Sequence, residues 1–234
     1  MGLIVPHAGY IYSGPVAAHS YHHLALTGIP GSVIILGPNH TGLGSGVSAM
    51  IEGEWSTPLG DVPIDTELAK EIVAASDIID IDEDAHLNEH SIEVQLPFLQ
   101  FIYPRRFKFV PICMMLQDLQ TSIEVGAAVA KTAERHNAAI IASSDWTHYE
   151  PQSIAMPKDK QAIQAALEMD ERKFQKIVEE KHVTACGYGP VTAMIHAVKL
   201  LGAQKTKLLS YQTSGDVTGD KSAVVGYASA IFEK

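Results

Sequence analysis

Short apolar runs rich in valine and isoleucine alternate with stretches whose apolar residues recur at helical spacing, and this alternation constrains the fold more than any other feature of the chain. The spacing predicts strands over Leu3–Val5, Val33–Leu36, Val47–Met50, Phe107–Ile112, Ala139–Ala142, Lys207–Gln212 and Ala223–Phe232. It predicts helices over Pro15–Leu24, Asp65–Ala74, Ser91–Phe101, Leu119–Arg135, Asp159–Glu168, Glu171–Glu179 and Pro190–Leu201. Pro15 and Pro190 each follow a glycine and read as first helical residues, where the missing N–H is unpaired in any case; Asp65 and Ser91 read as N-caps. Such alternation implies an α/β fold with a central, mostly parallel or mixed sheet and helices on both faces. No Gly/Ser linker, charge block or internal repeat divides the 234 residues, so residues 1–234 are expected to form a single domain.

Composition closes off several function classes. With 46% hydrophobic residues the chain can bury a substantial core, which disordered sequences cannot. Lys+Arg number 17 against Asp+Glu 27, a formal net charge of −10, so neither nucleic acid nor an anionic membrane surface is expected as a partner. No apolar window approaches the length that crosses a bilayer, and Met1–His7 lacks the basic stretch and apolar core of a signal peptide. Two cysteines, Cys113 and Cys186, are too few for a disulfide framework and too far apart for a Cys-x-x-Cys zinc site, so a reducing, cytoplasmic location is expected. The 11 histidines are the remaining anomaly, because neutral imidazole is the commonest metal ligand and general base.

Three segments share one design. Leu3-Ile4-Val5-Pro6-His7, Val33-Ile34-Ile35-Leu36-Gly37-Pro38-Asn39-His40 and Ile140-Ile141-Ala142-Ser143-Ser144-Asp145-Trp146-Thr147-His148 each run from an apolar strand into a loop that delivers a histidine. Ligands of open α/β sheets bind outside the carboxyl ends of the strands, so these segments are expected to aim imidazoles at one place. His7 and His40 then read as metal ligands: two neutral imidazoles with one anionic donor suit a divalent transition metal and leave positions open. Taken singly, either reads better as a loop histidine bonded to backbone or water; the shared strand-end placement reverses that for the pair.

Cys186 is the candidate third ligand, because it stands just before a predicted helix whose N-terminus lowers a thiol's pKa. The same placement suits a nucleophilic cysteine with His148 or His7 as base. Cys113, inside the apolar run Val110–Met115, reads as an inert buried thiol. Asp145 and His148 sit three residues apart and read as a carboxylate orienting an acid/base imidazole, with ligand or cap as the other assignments for Asp145. His86 and His90 have the i, i+4 spacing that puts both on one helical face, without the HExxH order, and read as pocket residues. With a helix starting near Glu89 or Ser91, His90 and Glu93 line the pocket behind the ligands. Tyr10 and Tyr12 are placed to hydrogen-bond a ligand, whereas His19, His22, His23, His136, His182 and His196 read as structural or solvated. No GxxxxGK[ST], GxGxxG after a strand or GxSxG is present, which removes the phosphate-loop, dinucleotide and serine-hydrolase readings.

These residues together carry a resemblance. Pro6-His7-Ala8-Gly9-Tyr10 with Tyr12-Ser13-Gly14, Leu36-Gly37-Pro38-Asn39-His40, Glu89-His90-Ser91-Ile92-Glu93 with Gln95-Leu96-Pro97-Phe98, Ser143-Ser144-Asp145 with His148-Tyr149, and Cys186-Gly187 resemble, in order, the motif series of the Memo-like family, also called AmmeMemoRadiSam system protein B. The resemblance implies the fold of the class III extradiol dioxygenases, whose non-haem iron is held by two histidines and a glutamate. It implies that His7 and His40 match the two metal-binding histidines and that Cys186 stands where those enzymes place the glutamate. It also implies that His148, with Asp145 beside it, matches their acid/base histidine. A soft thiolate at that place favours iron or copper, with zinc as a third choice, and makes the site oxidisable.

Family members are associated with metal-dependent redox roles, in some eukaryotes with phosphotyrosine peptides bound in the same pocket, and in prokaryotes with a radical-SAM protein. The resemblance therefore implies either an oxidoreductase-type protein acting on a small molecule or a non-catalytic module that binds a peptide or partner protein. Relatives usually carry some tens of residues ahead of the Pro-His-Ala-Gly-Tyr motif, whereas six residues precede His7, so that segment is expected to be missing. A homodimer is the default expectation for such a chain.

Overall fold

The computed structural model describes residues 1–104 and 107–234. Strand β1 (Gly2–Val5) leads through a short loop into α1 (Tyr10–Leu26), followed by β2 (Ser32–Pro38) and β3 (Val47–Ala49). A hairpin of β4 (Glu54–Thr57) and β5 (Gly60–Pro63) precedes α2 (Thr66–Ala74) and β6 (Asp80–Ile81). Single 3-10 turns at Asp84–His86 and Glu93–Gln95 then lead to α3 (Leu96–Ile102). The second half runs β7 (Phe109–Met114), α4 (Leu119–Ala133), β8 (Ala138–Ser143), β9 (His148–Glu150), α5 (Gln152–Leu167), α6 (Glu171–Glu180), α7 (Tyr188–Leu200), β10 (Lys205–Thr213), α8 (Ser214–Thr218) and β11 (Val224–Glu233).

One mixed sheet gathers the strands in the order β10-β11-β1-β8-β2-β7-β3-β6, with β9 pairing to β11. Its centre, β1, β8, β2 and β7, is parallel, while β11, β10 and β3 join antiparallel. Val33, Ile34, Ile35 and Leu36 of β2 are all fully buried without alternation, as expected of a strand covered on both faces. Helix α7 closes one face so tightly that a Cβ at Gly2 would run into Met194 and Val198. On the other face Ser20 of α1 donates from Oγ to Ile4 O at 3.0 Å. Because the central strands are parallel, the carboxyl ends of β1, β2 and β8 all reach one edge of the sheet. That edge is where the three histidine loops emerge.

The structure corrects several element boundaries. Helix α1 starts at Tyr10 and α5 at Gln152, so Pro15 and Pro157 lie inside helices. Each proline removes one backbone bond, yet the buried residues around it, such as Ser13, Val16 and Ala17 in α1 and Ala155, Asp159 and Ala162 in α5, hold the turn. Helix α7 starts at Tyr188, which puts Pro190 in its first turn rather than at its first residue. Asp65 is an N-cap as expected, accepting from Leu68 N–H, but Ser91 is not, since its Oγ donates to Pro38 O at 2.8 Å. The predicted helix over Ser91–Phe101 is accordingly reduced to a 3-10 turn and the short α3. Strands β4, β5, β6 and β9 were not signalled, because they are short and largely polar.

Glu171 ties α6 to α7: its nearly buried carboxylate accepts from Lys199 Nζ at 2.5 Å and His196 Nδ1 at 3.1 Å. Burial pulls its pKa up, but the bonds from Lys199, its own backbone and His196 outweigh this and leave it below the ordinary 4.5. A depressed carboxylate contributes stability that is present above pH 4.5 and lost as pH falls through the folded value. Glu171→Gln is therefore expected to cost about 1 kcal/mol at pH 7, discounted for the half-exposed lysine, and nothing once the pH is below the folded value. Denaturant titrations of both proteins at pH 7 and in acid check this; an equal difference at both pH values rejects it.

Candidate metal centre

His7, on the loop after β1, is only 2% exposed, and its N–H donates to Asp145 Oδ1 at 2.9 Å. A side chain just past β8 thus fixes the main chain just past β1. His40 follows β2 on a loop wound by Asn39, whose Oδ1 accepts from Thr41 and Gly42 N–H and whose Nδ2 donates to Leu43 O. Gly42 supplies the left-handed backbone, φ +72°, that this turn requires. His90 arrives from the polar connection before α3. The ligand nitrogens of His7, His40 and His90 lie within 4.8 Å of one another. Their ring centroids are 5.4 Å apart for His7 and His40, 5.5 Å for His7 and His90, and 4.8 Å for the stacked His40 and His90. Three imidazoles converging at this spacing can hold one metal ion.

Glu89 organises two of the three. Its buried Oε1 accepts from His40 Nδ1 and from the N–H groups of His90 and Ser91, each at 2.9 Å, and Oε2 accepts from His40 N–H. Burial pulls the carboxyl up, but the hydrogen bonds from His40 and Ser91 hold its pKa down at about 2. A carboxylate only accepts, so His40 Nδ1 carries the proton and the lone pair of Nε2 is left to face a metal. Burial, reinforced by His40 and His90, lowers the pKa of His7 well below its ordinary value, which keeps it neutral as a ligand must be.

Cys186 Sγ lies 3.3 Å from His7 Nε2 and accepts from Asp145 N–H at 3.2 Å. The expected acidification by the following helix is not what the structure shows: burial, and then the Asp145 carboxylate, raise this thiol well above its ordinary value. The protein alone therefore keeps Cys186 as a thiol, which weakens its reading as a nucleophile. Cys113 is buried in β7 with its pKa pushed up to about 12 and its Sγ 3.7 Å from Pro38 O, an inert thiol.

His148 is half-buried, with its N–H bonded to Thr184 Oγ1 at 2.7 Å and its Nδ1 2.8 Å from Thr184 O. A carbonyl only accepts, so Nδ1 holds a proton and Nε2 is a proton acceptor. The expected orientation by Asp145 is replaced by this carbonyl. Asp145 instead bonds the backbone of His7, and burial raises its pKa to about 6 against the opposing bond from His7 N–H and the charge of His148. Thr147 separates the two functions, anchored by its N–H and Oγ1 to the buried Asp159.

Tyr10, Trp55, His86 and Glu93 line, with Glu89, a cavity of about 340 Å³. Tyr10 donates to Val94 O at 3.2 Å, and His86 stacks edge-on against Trp55 at 5.5 Å. Neither ring nitrogen of His86 has a partner among the described residues, and burial brings its pKa down to about 4. The shared helical face expected for His86 and His90 does not exist. Backbone at Leu87 is extended and Asn88 is left-handed at φ +61°, so the two rings part: His86 toward Trp55, His90 toward His7 and His40. Among the other histidines, His23 pairs with Glu233, His136 with Glu71 and His196 with Glu171, while His19, His22 and His182 are exposed.

Two groups that hold the site histidines, Glu89 and Thr184, and the cavity wall Trp55 are not singled out by the sequence. Glu89 had a signal, an acid directly before His90; Thr184 had none. The hairpin that presents Trp55 carries only a weak signal, a Pro/Gly turn at Pro58-Leu59-Gly60 between two four-residue, largely polar strands.

A MEMO1 family protein of Methanocaldococcus jannaschii is 58% identical over 243 residues, covering 100% of this chain and 84% of that one. A MEMO1 family protein of Methanopyrus kandleri is 54% identical over 235 residues, covering 100% and 83%. The crystal structure of an uncharacterized protein from Escherichia coli K12 shares the fold, with a TM-score of 0.67 at 15% identity over 98% of each chain. No helix among the described residues is long and apolar enough to cross a membrane. Residues 1–231 match the family described as Memo-like protein, and with relatives this similar over its whole length the chain belongs to that family.

Proposed function

We propose that this chain is a metal-dependent protein of redox, dioxygenase-like type, with one iron or copper ion held by His7, His40 and His90 and the Cys186 thiol beside them. The convergence of three imidazole donors within 4.8 Å carries the reading. The donor set fits such an ion: His7 is held neutral, His40 presents a free Nε2, and a thiol stands 3.3 Å from His7 Nε2. When bound, the ion supplies a Lewis acid with an accessible one-electron couple.

The chain's own residues do the rest. Glu89 and the Asp145 contact hold the ligand loops in register before any ligand arrives. His148 Nε2, oriented through Thr184, takes a proton from a bound small molecule and returns it. The adjoining cavity, walled by Tyr10 and Trp55, receives the organic part of that molecule. Protein purified without a histidine tag is expected to carry about one iron or copper per chain and to consume oxygen with catechol-type substrates. His148→Ala should keep the metal and lose oxygen uptake by about 100-fold or more. Sub-stoichiometric metal in the wild type sinks the reading.

A second reading, a module that binds a peptide or a radical-SAM partner protein without turnover, is favoured by an apolar groove that shares Tyr10 with the cavity and in which Tyr10 is 50%, Leu59 60% and Phe101 83% exposed. Oxygen electrode traces that stay flat for metal-loaded protein with every catechol tried favour this reading.

A further inference from the structure

A buried polar chain ends on His7, and its proton positions are fixed by groups that can act in one sense only. Gln95 Nε2 lies 3.1 Å from Pro6 O and 2.8 Å from Ser143 Oγ, while its Oε1 lies 2.5 Å from Tyr21 Oη. Pro6 O is a carbonyl and only accepts, so the amide group facing it is the NH₂, and that NH₂ also donates to Ser143 Oγ. Ser143 Oγ in turn lies 2.6 Å from Ser91 O, a second carbonyl, which takes the hydroxyl's single proton. With that proton committed, Ser143 Oγ has only lone pairs left for His7 Nδ1, 2.8 Å away.

His7 Nδ1 must therefore be the donor, and Nε2 must be bare. Imidazole in water prefers the opposite arrangement, with the proton on Nε2, so the protein has to impose this one. Every member, Ser143, Gln95, Ser91 and Tyr21 included, is buried, so water offers no competing partner. Tyr21 completes the lock from below, stacked on Phe98 at 4.9 Å and donating to the amide oxygen.

We infer that Gln95 and Ser143 are positioning residues that hold His7 in the tautomer whose Nε2 is free to bind metal. The inference rests on the proposed metal site for its purpose, but not for its test, since the tautomer exists without metal. Long-range proton–nitrogen NMR of the ¹⁵N-labelled, metal-free chain, with His7 assigned by comparison with His7→Ala, reads which ring nitrogen carries the proton. The wild type is expected to show His7 protonated at Nδ1. Ser143→Ala should move the proton to Nε2 in most molecules and weaken iron(II) binding, measured anaerobically against a competing chelator, by about tenfold to 100-fold.

Gln95→Met, close in volume, removes only the amide donor and should give a mixed tautomer with a loss of about threefold to tenfold, which provides a test even where Ser143→Ala folds poorly. Finding His7 protonated at Nε2 in the wild type, or an unchanged tautomer in the folded variants, overturns the inference. A wild type with the expected tautomer that takes up no iron(II) overturns the metal reading and leaves the tautomer assignment standing.

Discussion

His40→Ala is expected to lower metal affinity by on the order of 100-fold or more, about 3 kcal/mol of binding free energy, while leaving the fold almost untouched. His40 sits on a loop with its side chain 35% exposed, so its removal opens no core cavity. Glu89 loses the Nδ1 bond but keeps the N–H groups of His40, His90 and Ser91, which continue to solvate the carboxylate. Glu89→Gln is the informative companion. It preserves size but turns an acceptor group into one that is half donor, facing N–H groups that can only donate, and it releases the orientation of His40. It should reduce affinity by about tenfold to 100-fold and also cost stability, a combination that His40→Ala lacks. Elemental analysis and chelator competition, beside thermal melts, separate the two patterns. His90→Ala and Cys186→Ser complete the series and decide which of these groups acts as a ligand. Metal content that is unchanged across all four variants would reject a centre at this position.

Much of the architecture is legible because two periodicities carry it. The unbroken apolar run of β2 has one plausible home, the middle of a covered parallel sheet, and once β1, β2 and β8 are parallel neighbours their following loops must meet. That reasoning brings His7 and His40 together without any knowledge of the tertiary structure. It leaves His90 in the pocket behind the ligands and does not bring it level with them, since its position depends on a left-handed Asn88 and on Glu89 folding back to the loop of His40. Those are non-local bonds written in no repeat. The same limit explains Asp145: spacing offered His148 as its partner, whereas the strand pairing of β1 with β8 puts His7 N–H closer. Thr184 is further still from any signal, an ordinary carbonyl made important by where the chain passes. Periodicity reports which face of an element is buried; it says nothing about which polar group another segment will bring to its end.

Gly187→Ala should be the most damaging small substitution at the site. Gly187 has an ordinary negative φ of −109°, so the objection to a side chain is not conformational. It is space: a Cβ would overlap Ser143 O and fall 2.8 Å from Ser144 Cβ and 3.0 Å from Ser144 Oγ. The first of these atoms is backbone of Ser143, the last residue of β8, and the other two belong to the short, buried side chain of Ser144 next to it, so nothing flexible can swing aside. The chain at Gly187 has to back away, and it carries Cys186 with it. That separates Cys186 Sγ from Asp145 N–H and His7 Nε2, and breaks the bond from Gly187 N–H to Ser144 Oγ. Overpacking together with a lost buried hydrogen bond is expected to cost about 3 kcal/mol, or roughly 6–12 °C in melting temperature for a chain of this size. Gly9→Ala is the control, because its Cβ would meet Tyr12 only at ordinary contact distances of 3.6 and 3.9 Å, and it should be nearly neutral. The displaced thiol gives the decisive readout. Freed from its contacts with Asp145 and His7, the part-buried Cys186 should react with a thiol reagent at least tenfold faster in Gly187→Ala than in the wild type under native conditions, with Cys113 remaining protected in β7. An unchanged melting temperature with unchanged thiol reactivity would show that β8 and α7 do not meet as tightly as the geometry requires.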